Sequence, residues 1–274
     1  MKIDLHTHST ASDGRLAPAE LVRRSAEAGV EILALTDHDG VDGLDEARQS
    51  AKDIGIRLIN GIELSVTWHK RTIHIVGLHF DPNSASLQAG IESLQDFRRS
   101  RAIEIAAKLD SAGIKGAYEG AQAFSGGNML GRMHFANFLI AAGYAKNVRS
   151  VFKKYLVNNK PGYVSGDWAT LNEAVSWITQ AGGVAVIAHP ARYKLTRTKL
   201  RKLIKDFMVA GGQAIEVVSG SYCINEMNTM ACHAVDFDLY ASCGSDFHDP
   251  DFPWIKLGQL PDLPDKCKPV WDLF

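Results

Sequence analysis

Asp4-Leu5-His6-Thr7-His8-Ser9-Thr10-Ala11-Ser12-Asp13 reads as a short strand ending in a crowd of polar side chains. Side chains alternate along a strand, so His6 and His8 point to one side, roughly 6.6 Å apart along the chain. Two imidazoles at that spacing can converge on one ion, and Asp4 and Asp13 place carboxylates on the flanks. Chance recurrence of histidine is the competing explanation. The ends of the later strands decide between the two.

Outward from that strand the chain alternates. Pro18 opens a helix through Ala28, and Gly29 ends it. Ile32-Leu33-Ala34-Leu35-Thr36 is a continuous apolar run of the kind buried on both faces of a parallel sheet, and it empties into Asp37-His38-Asp39-Gly40. A helix over 41–54 leads to a short strand at 57–59. Gly61-Ile62-Glu63 follows, then a hairpin of 64–68 and 72–80 turning near His69-Lys70-Arg71. From Asp81 the character changes. A long helix over 87–109, a glycine-rich stretch at Ser125-Gly126-Gly127 and shorter helices over 132–142 and 148–156 carry no strand pattern. Alternation resumes at Val164, with helix 171–181, strand 184–188, His189-Pro190, helix 199–209, strand 214–218, helix 225–235 and strand 239–243. The last strand runs into Gly244-Ser245-Asp246-Phe247-His248. This order predicts an α/β barrel built from 1–80 and 166–274, with a small helical insertion at 81–165 covering its mouth.

A chain of 274 residues with 46% hydrophobic content is of barrel size and has ample core. A formal charge of −1 argues against gripping long nucleic acid by bulk electrostatics, but allows a short or terminal piece held by local charges. No apolar run approaches a membrane span, and the chain starts directly on a strand. Cys223, Cys232, Cys243 and Cys267 show no Cys-x-x-Cys spacing and read as ordinary thiols. The expectation is a soluble cytoplasmic protein.

Collected, the strand ends supply His6, His8, Asp13, His38, Glu63, His74, His189, Asp246 and His248. One histidine at a strand end is ordinary, but six with three acids at one rim are a metal centre. Barrels of this class place their chemistry at that rim. Nine ligands suit two or three divalent ions bridged by a carboxylate. The imidazole–carboxylate mixture suits Mn, Zn or Fe better than Mg or Ca, and Mn is the expected ion. Ions so held lower the pKa of bound water and present hydroxide at neutral pH, which points to hydrolysis, most naturally of a phosphoester.

Asp-Leu-His-Thr-His-Ser with Ser-Asp-Gly at 12–14, Thr-Asp-His-Asp at 36–39, Gly-Ile-Glu at 61–63, Ala-His-Pro at 188–190 and Gly-Ser-Asp-Phe-His at 244–248 resemble the successive motifs of the PHP (polymerase and histidinol phosphatase) family. Within it the chain is most similar to the bacterial 3′,5′-nucleoside bisphosphate phosphatases, also described as 5′-to-3′ exoribonucleases acting on short RNA. The resemblance implies a distorted (β/α)7 barrel with a trinuclear site. It implies that His6, His8, Glu63 and Asp246 hold the first ion, and that Glu63 bridges to a second held with His74 and His189. Asp13, His38 and His248 would hold the third. Histidinol-phosphatase-like members often have histidine where this chain has Asp13, which speaks against histidinol phosphate as substrate. Asp13, His38 and His248 are the candidate catalytic residues, with His38 or His248 assisting the leaving group.

The long helix carries an apolar stripe of Leu87, Ile91, Leu94, Ile105 and Leu109, and Arg98 and Arg101 lie within it. Arginines on a core-facing stripe have an anionic partner, either a buried carboxylate or a substrate phosphate, and phosphate is favoured here. Arg132 and His134 open another helix whose N-terminus adds backbone donors for an anion, and Arg192 follows His189-Pro190. The run Lys194, Arg197, Lys199, Arg201, Lys202 and Lys205 reads as a solvated face that would at most steer polyanions. The expected reaction removes the 3′-phosphate of a nucleoside 3′,5′-bisphosphate, with the insertion arginines on the second phosphate. One alternative is stepwise 5′-to-3′ shortening of short 5′-phosphorylated RNA or DNA. Another, of a different class, is a non-catalytic binding module braced by metal, which the complete ligand set disfavours.

Overall fold

The computed structural model describes residues 1–125, 129–252 and 254–274. From the N-terminus the chain runs β1 (Ile3–Thr7), α1 (Pro18–Glu27), β2 (Ile32–Leu35), α2 (Leu44–Ile54), β3 (Arg57–Trp68) and β4 (Arg71–Leu78). Then come α3 (Ala85–Ser111), α4 (Ala117–Gln122), α5 (Arg132–Ala141) and α6 (Val148–Val151), the last continued by a π-helical turn at Phe152–Leu156. Alternation returns with β5 (Ala169–Thr170), α7 (Leu171–Gln180), β6 (Val184–Ile187), α8 (Arg197–Val209), β7 (Ala214–Ser219), α9 (Ile224–Asp236) and β8 (Tyr240–Gly244). The two-residue β9 (Lys268–Pro269) closes the sheet. No helix among the described residues is long and apolar enough to cross a membrane.

The strands form one sheet in the order β1-β2-β3-β4-β6-β7-β8-β9, with β5 beside β3. β1, β2 and β3 run parallel, as do β6, β7 and β8, while β4 is antiparallel to both its neighbours. The fully buried runs Ile32–Leu35 and Val184–Ile187 sit inside this sheet because helices cover its outer face. The sheet curls until its ends meet. Thr7 bridges Phe247, Asp246 N–H donates to His6 O at 2.8 Å, and His8 N–H donates to Phe247 O at 2.9 Å. The C-terminal ends of β1, β2, β6 and β8 therefore open on one mouth, in the arrangement expected of a distorted α/β barrel.

Two details depart from the expected boundaries. The strand at 57–59 and the first arm of the hairpin are one continuous strand, β3. Gly61 does not turn the chain; a Cβ there would stand 2.5 Å from Leu35 O, so glycine allows β2 and β3 to approach. Gly61→Ala is accordingly expected to cost about 1–3 kcal/mol in a denaturant titration, from overpacking. The second departure is α4, which a glycine-containing segment conceals. A Cβ on Gly120 would lie 2.2 Å from the Phe138 ring, so this glycine serves helix–helix contact. Of the glycine-rich stretch at Ser125-Gly126-Gly127, the two glycines lie outside the described residues.

α3 joins two apolar clusters. Leu87, Ile91 and Leu94 pack into the barrel core, whereas Ala102, Ile105, Ala106 and Leu109 pack with Phe135, Leu139, Val151 and Leu156 in a second cluster. Arg98 and Arg101 occupy the turn of α3 where one cluster gives way to the other. A continuous stripe thus tolerates two cations, because they sit at the seam between cores.

Candidate metal centre and anion site

Strand ends position the cluster, and backbone conformation aims it. His189 and Asp246 follow β6 and β8 directly and adopt left-handed conformations, with φ of 30° and 56°. Asp39, beyond β2, does the same with φ of 47°. Such conformations cost non-glycine residues about 1–3 kcal/mol each and persist where the surroundings require them. Here they turn side chains back into the mouth.

Eight of the nine candidate ligands fall into ion-sized groups, and His189 joins them only through its contact with Glu63. His6 Nε2 and His8 Nε2 are 3.1 Å apart. Each faces the same two carboxylates: Glu63 Oε2 at 3.3 Å from both, and Asp246 Oδ1 at 3.4 and 3.1 Å. Four ligand atoms around a tetrahedral ion with arms of about 2.0–2.1 Å would stand roughly 3.3 Å from one another. Glu63 Oε1 meets His74 Nδ1 at 2.8 Å and His189 Nε2 at 3.0 Å, while Oε2 meets His38 Nδ1 at 3.1 Å. Asp13 Oδ1 faces His248 Nε2 at 3.3 Å and His38 Nε2 at 3.9 Å.

Among the described residues, the groups able to hold an ion are His6–His8–Glu63–Asp246, His38–Glu63–His74 and His8–Asp13–His38–His248. Glu63 belongs to two of them, as a bridge must. His8 and His38 are also shared, so the neat division of histidines among three ions is less sharp in space than in the family pattern.

A divalent cation suits these residues on grounds internal to the structure. His8 Nδ1, Asp13 Oδ1, His38 Nδ1, Glu63 Oε2 and His189 Nδ1 are buried without a hydrogen-bond partner. Several of them are nonetheless in close contact with one another. Unsatisfied buried polar atoms cost about 1–3 kcal/mol each. Asp13 Oδ1, His38 Nδ1 and Glu63 Oε2 face other ligand atoms, as lone pairs aimed at cations do, whereas His8 and His189 turn Nε2 toward the carboxylates and their Nδ1 atoms away. Charge agrees. Burial works against ionised Glu63, but His74, His38 and His6 outweigh it and hold its pKa well below the usual range. Asp246 is held low against burial by Arg192, His6 and His248, and Asp13 by His248 and His38. The carboxylates are therefore anionic in a dry site.

Exposure separates a closed floor from an open edge. The side chains of His6 and His8 are 0% exposed and Glu63 1%, whereas Asp13 is 14%, His38 12%, His74 23% and His248 24% exposed.

Across from Asp13 lies the arginine group. Arg98 Nε donates to Asp39 Oδ2 at 2.5 Å and its Nη2 to Ser65 Oγ at 3.0 Å, so the buried carboxylate partner exists. Arg98 and Arg101 both lie over the Trp168 ring, at 5.0 and 5.4 Å from its centroid. Arg101 Nη2 reaches Val164 O at 3.2 Å, and its buried Nε has no partner. Burial, then Arg132 and Arg98, pull the Arg101 pKa down to about 10. Arg132 is lowered likewise by burial and Arg98, and Asp13 acts on both Arg132 and His134. His134 Nδ1 accepts the Gly131 N–H at 2.9 Å, at the start of α5. Arg192 does not stand free: it pairs with Asp246 Oδ2 and donates from Nε to Ser221 Oγ at 2.9 Å.

Sequence reading missed Glu216. Its Oε1 meets His6 Nδ1 at 2.6 Å and its Oε2 accepts the His189 N–H at 2.5 Å, so one buried carboxylate orients two candidate ligands from different strands. An acid inside the apolar run Ala214–Ser219 was the available signal. Asp4, which is not in the expected ligand set, accepts the Ser245 N–H at 2.8 Å and ties β1 to the segment after β8. Carboxylates behind metal-binding histidines contribute about 10–100-fold in metal affinity. Glu216→Gln is expected to weaken divalent-metal binding by that factor in a competition titration with a chelating dye. An unchanged affinity would reduce Glu216 to a structural brace.

The chain is similar to known proteins over most of its length. A family model described as PHP domain matches residues 4–217. A 3′,5′-nucleoside bisphosphate phosphatase of Chromobacterium violaceum is 49% identical, over 98% of this chain and 95% of that one. A 5′-3′ exoribonuclease of Haemophilus influenzae is 46% identical, over 100% of this chain and 99% of that one. A solved structure of an amidohydrolase from Chromobacterium violaceum, with bound sulfate and no metal, superimposes with a TM-score of 0.95 at 48% identity. It covers 100% of this chain and 96% of that one.

Proposed function

This chain belongs to the PHP family, and on that premise we propose that it is a metal-dependent phosphoesterase removing the 3′-phosphate from nucleoside 3′,5′-bisphosphates. The observation that carries the reading is two assemblies at one opening: the cluster of histidines and carboxylates, which would bind phosphate through the cations it seeks, and an arginine group that is short of carboxylates among the described residues. A substrate with two phosphates satisfies both.

The first ion is assigned to His6, His8, Glu63 and Asp246, the second to Glu63, His74 and His189, and the third to Asp13, His38 and His248, with manganese as the proposed metal. Bound ions would lower the pKa of a water and neutralise charge on the phosphoryl group. The chain's own residues supply the rest. Helices α3 to α6 act as an insertion over the mouth, and from them Arg101, Arg132 and His134 hold the non-reacting phosphate while Arg98 braces the group through Asp39. Asp13, His38 and His248 stand with His74 on the exposed edge of the cluster, where an ester would meet them first. Whichever of His248 and His38 is left free of metal is proposed to hand a proton to the leaving oxygen. Arg192 holds Asp246 in position. The same site acting on a short 5′-phosphorylated RNA, with a nucleotide as leaving group, gives 5′-to-3′ shortening; the exoribonuclease relative favours this second reading.

Phosphate release from adenosine 3′,5′-bisphosphate should exceed release from a plain mononucleotide, and equal turnover would remove the case for a second phosphate site. A product ladder from a 5′-phosphorylated oligoribonucleotide tests the shortening activity. Among the described residues Arg132 has no carboxylate partner to orphan. Arg132→Ala should therefore raise KM for the bisphosphate about 10–100-fold, the worth of charged hydrogen bonds, with bound metal unchanged by elemental analysis.

A further inference from the structure

Between the N-terminal ends of α1 and α2 and the flank of α3 lies a cavity of about 480 Å³, within the range of roughly 300–1,000 Å³ typical of small-molecule sites. The nine cluster residues do not line it. Two of its walls nevertheless tie it to the reaction centre. Thr10 and Ala11 belong to the segment between His8 and Asp13, and Arg98 belongs equally to this cavity and to the arginine group. A molecule whose phosphate rests on the arginines has this space beside it for the remainder of its structure.

The lining chemistry selects what that remainder is. Pro18, Met129 and Leu130 provide apolar surface. Asp42 and Glu46 provide carboxylate acceptors. One oxygen of Glu46, Oε1, already accepts the Ala19 N–H at 3.0 Å, which holds the side chain in the cavity wall. Gln95 is held by its Nε2, which donates to Asp39 O at 3.3 Å. Arg99 is matched by its own ion pair with Asp96 and brings no free charge. Gly40 keeps the floor low: a Cβ there would stand 3.3 Å from Met129 Cε and 3.4 Å from both Asp42 Oδ2 and Gln95 Nε2. Two carboxylates repel a further phosphate. Apolar walls with acceptors at one edge instead suit a flat, neutral heterocycle carrying N–H donors.

We propose that this cavity is the nucleobase subsite, which takes the base of the nucleotide whose phosphate the arginines hold, with Asp42 and Glu46 accepting from its exocyclic amino group. The assignment rests on the nucleotide reading above. It adds a specificity for bases with amino groups that neither the metal cluster nor the arginines can supply.

Adenosine, which has no phosphate, is the probe. It is titrated calorimetrically into the full chain with manganese present, and into the double variant Asp42→Asn/Glu46→Gln. Both substitutions are isosteric and keep an acceptor for Ala19, and an unchanged melting temperature confirms the fold. Adenosine should bind the parent protein and bind the variant about tenfold more weakly, the loss expected when charged acceptors become neutral. In hydrolysis of adenosine 3′,5′-bisphosphate the variant should show a KM about tenfold higher with kcat retained. KM for propane-1,3-diol bisphosphate, which has no base, should stay put. Equal adenosine affinity in the two proteins, or no adenosine binding to either, overturns the subsite. Failure of the parent protein to release phosphate from any bisphosphate overturns the phosphatase reading instead, and the adenosine titration still decides the cavity.

Discussion

Glu63→Gln is expected to lower phosphate release by about 10³-fold or more and to strip metal from the protein, the largest effect of any single substitution. Removing one preorganised charge-stabilising group from an active site already costs about 10²–10³-fold, and in the proposed assignment Glu63 serves more than one ion. Its two oxygens lie within 3.3 Å of His6, His8, His38, His74 and His189. An amide offers one acceptor oxygen in place of two and no charge to separate neighbouring cations. Elemental analysis and phosphate release on one preparation check the outcome. A variant that keeps full metal content and loses only activity would show that Glu63 does not bridge.

Arg98→Ala is expected to damage stability as well as substrate binding. The Asp39 side chain is fully buried and Arg98 is 11% exposed, with Nε and Oδ2 2.5 Å apart. Removing one partner of a buried pair leaves the other charge uncompensated, at about 3–5 kcal/mol. Lost activity in this variant therefore says little about phosphate binding by itself. The double variant Arg98→Ala/Asp39→Asn separates the two effects. It should recover much of the stability in a denaturant titration, because no charge is left buried, while KM for the bisphosphate stays high. If KM returns to the parent value with stability, Arg98 is a brace with no share in substrate binding.

The helix that carries Arg98 shows how legibility varies along one element. Its apolar stripe and the misfit of two arginines within it are local facts, visible at helical spacing. The acceptor of Arg98 is 59 residues away in the chain, in a loop whose left-handed Asp39 no spacing rule marks. Phosphate and carboxylate were both open from sequence, and the fold supplies the carboxylate while leaving Arg101 and Arg132 short of one. Arg192 was read beside the substrate for its nearness to His189, but the curl of the sheet brings it onto Asp246. Glu216 went unread because an acid in a strand declares no partner; its histidine is 210 residues away.

The opening decapeptide illustrates the division. Sequence alone determined that His6 and His8 share a side, that each later strand delivers a histidine or acid at its end, and that the alternating elements form a barrel. These follow from strand alternation and from burial of apolar runs, which act over a few residues. Tertiary structure alone decided which of those groups share a space. It set the shared positions of Glu63, His8 and His38, the split of α3 between two cores, and the cavity beside Arg98. Contacts of that kind depend on how a curled sheet brings distant segments within a few ångströms, and no local periodicity records that distance.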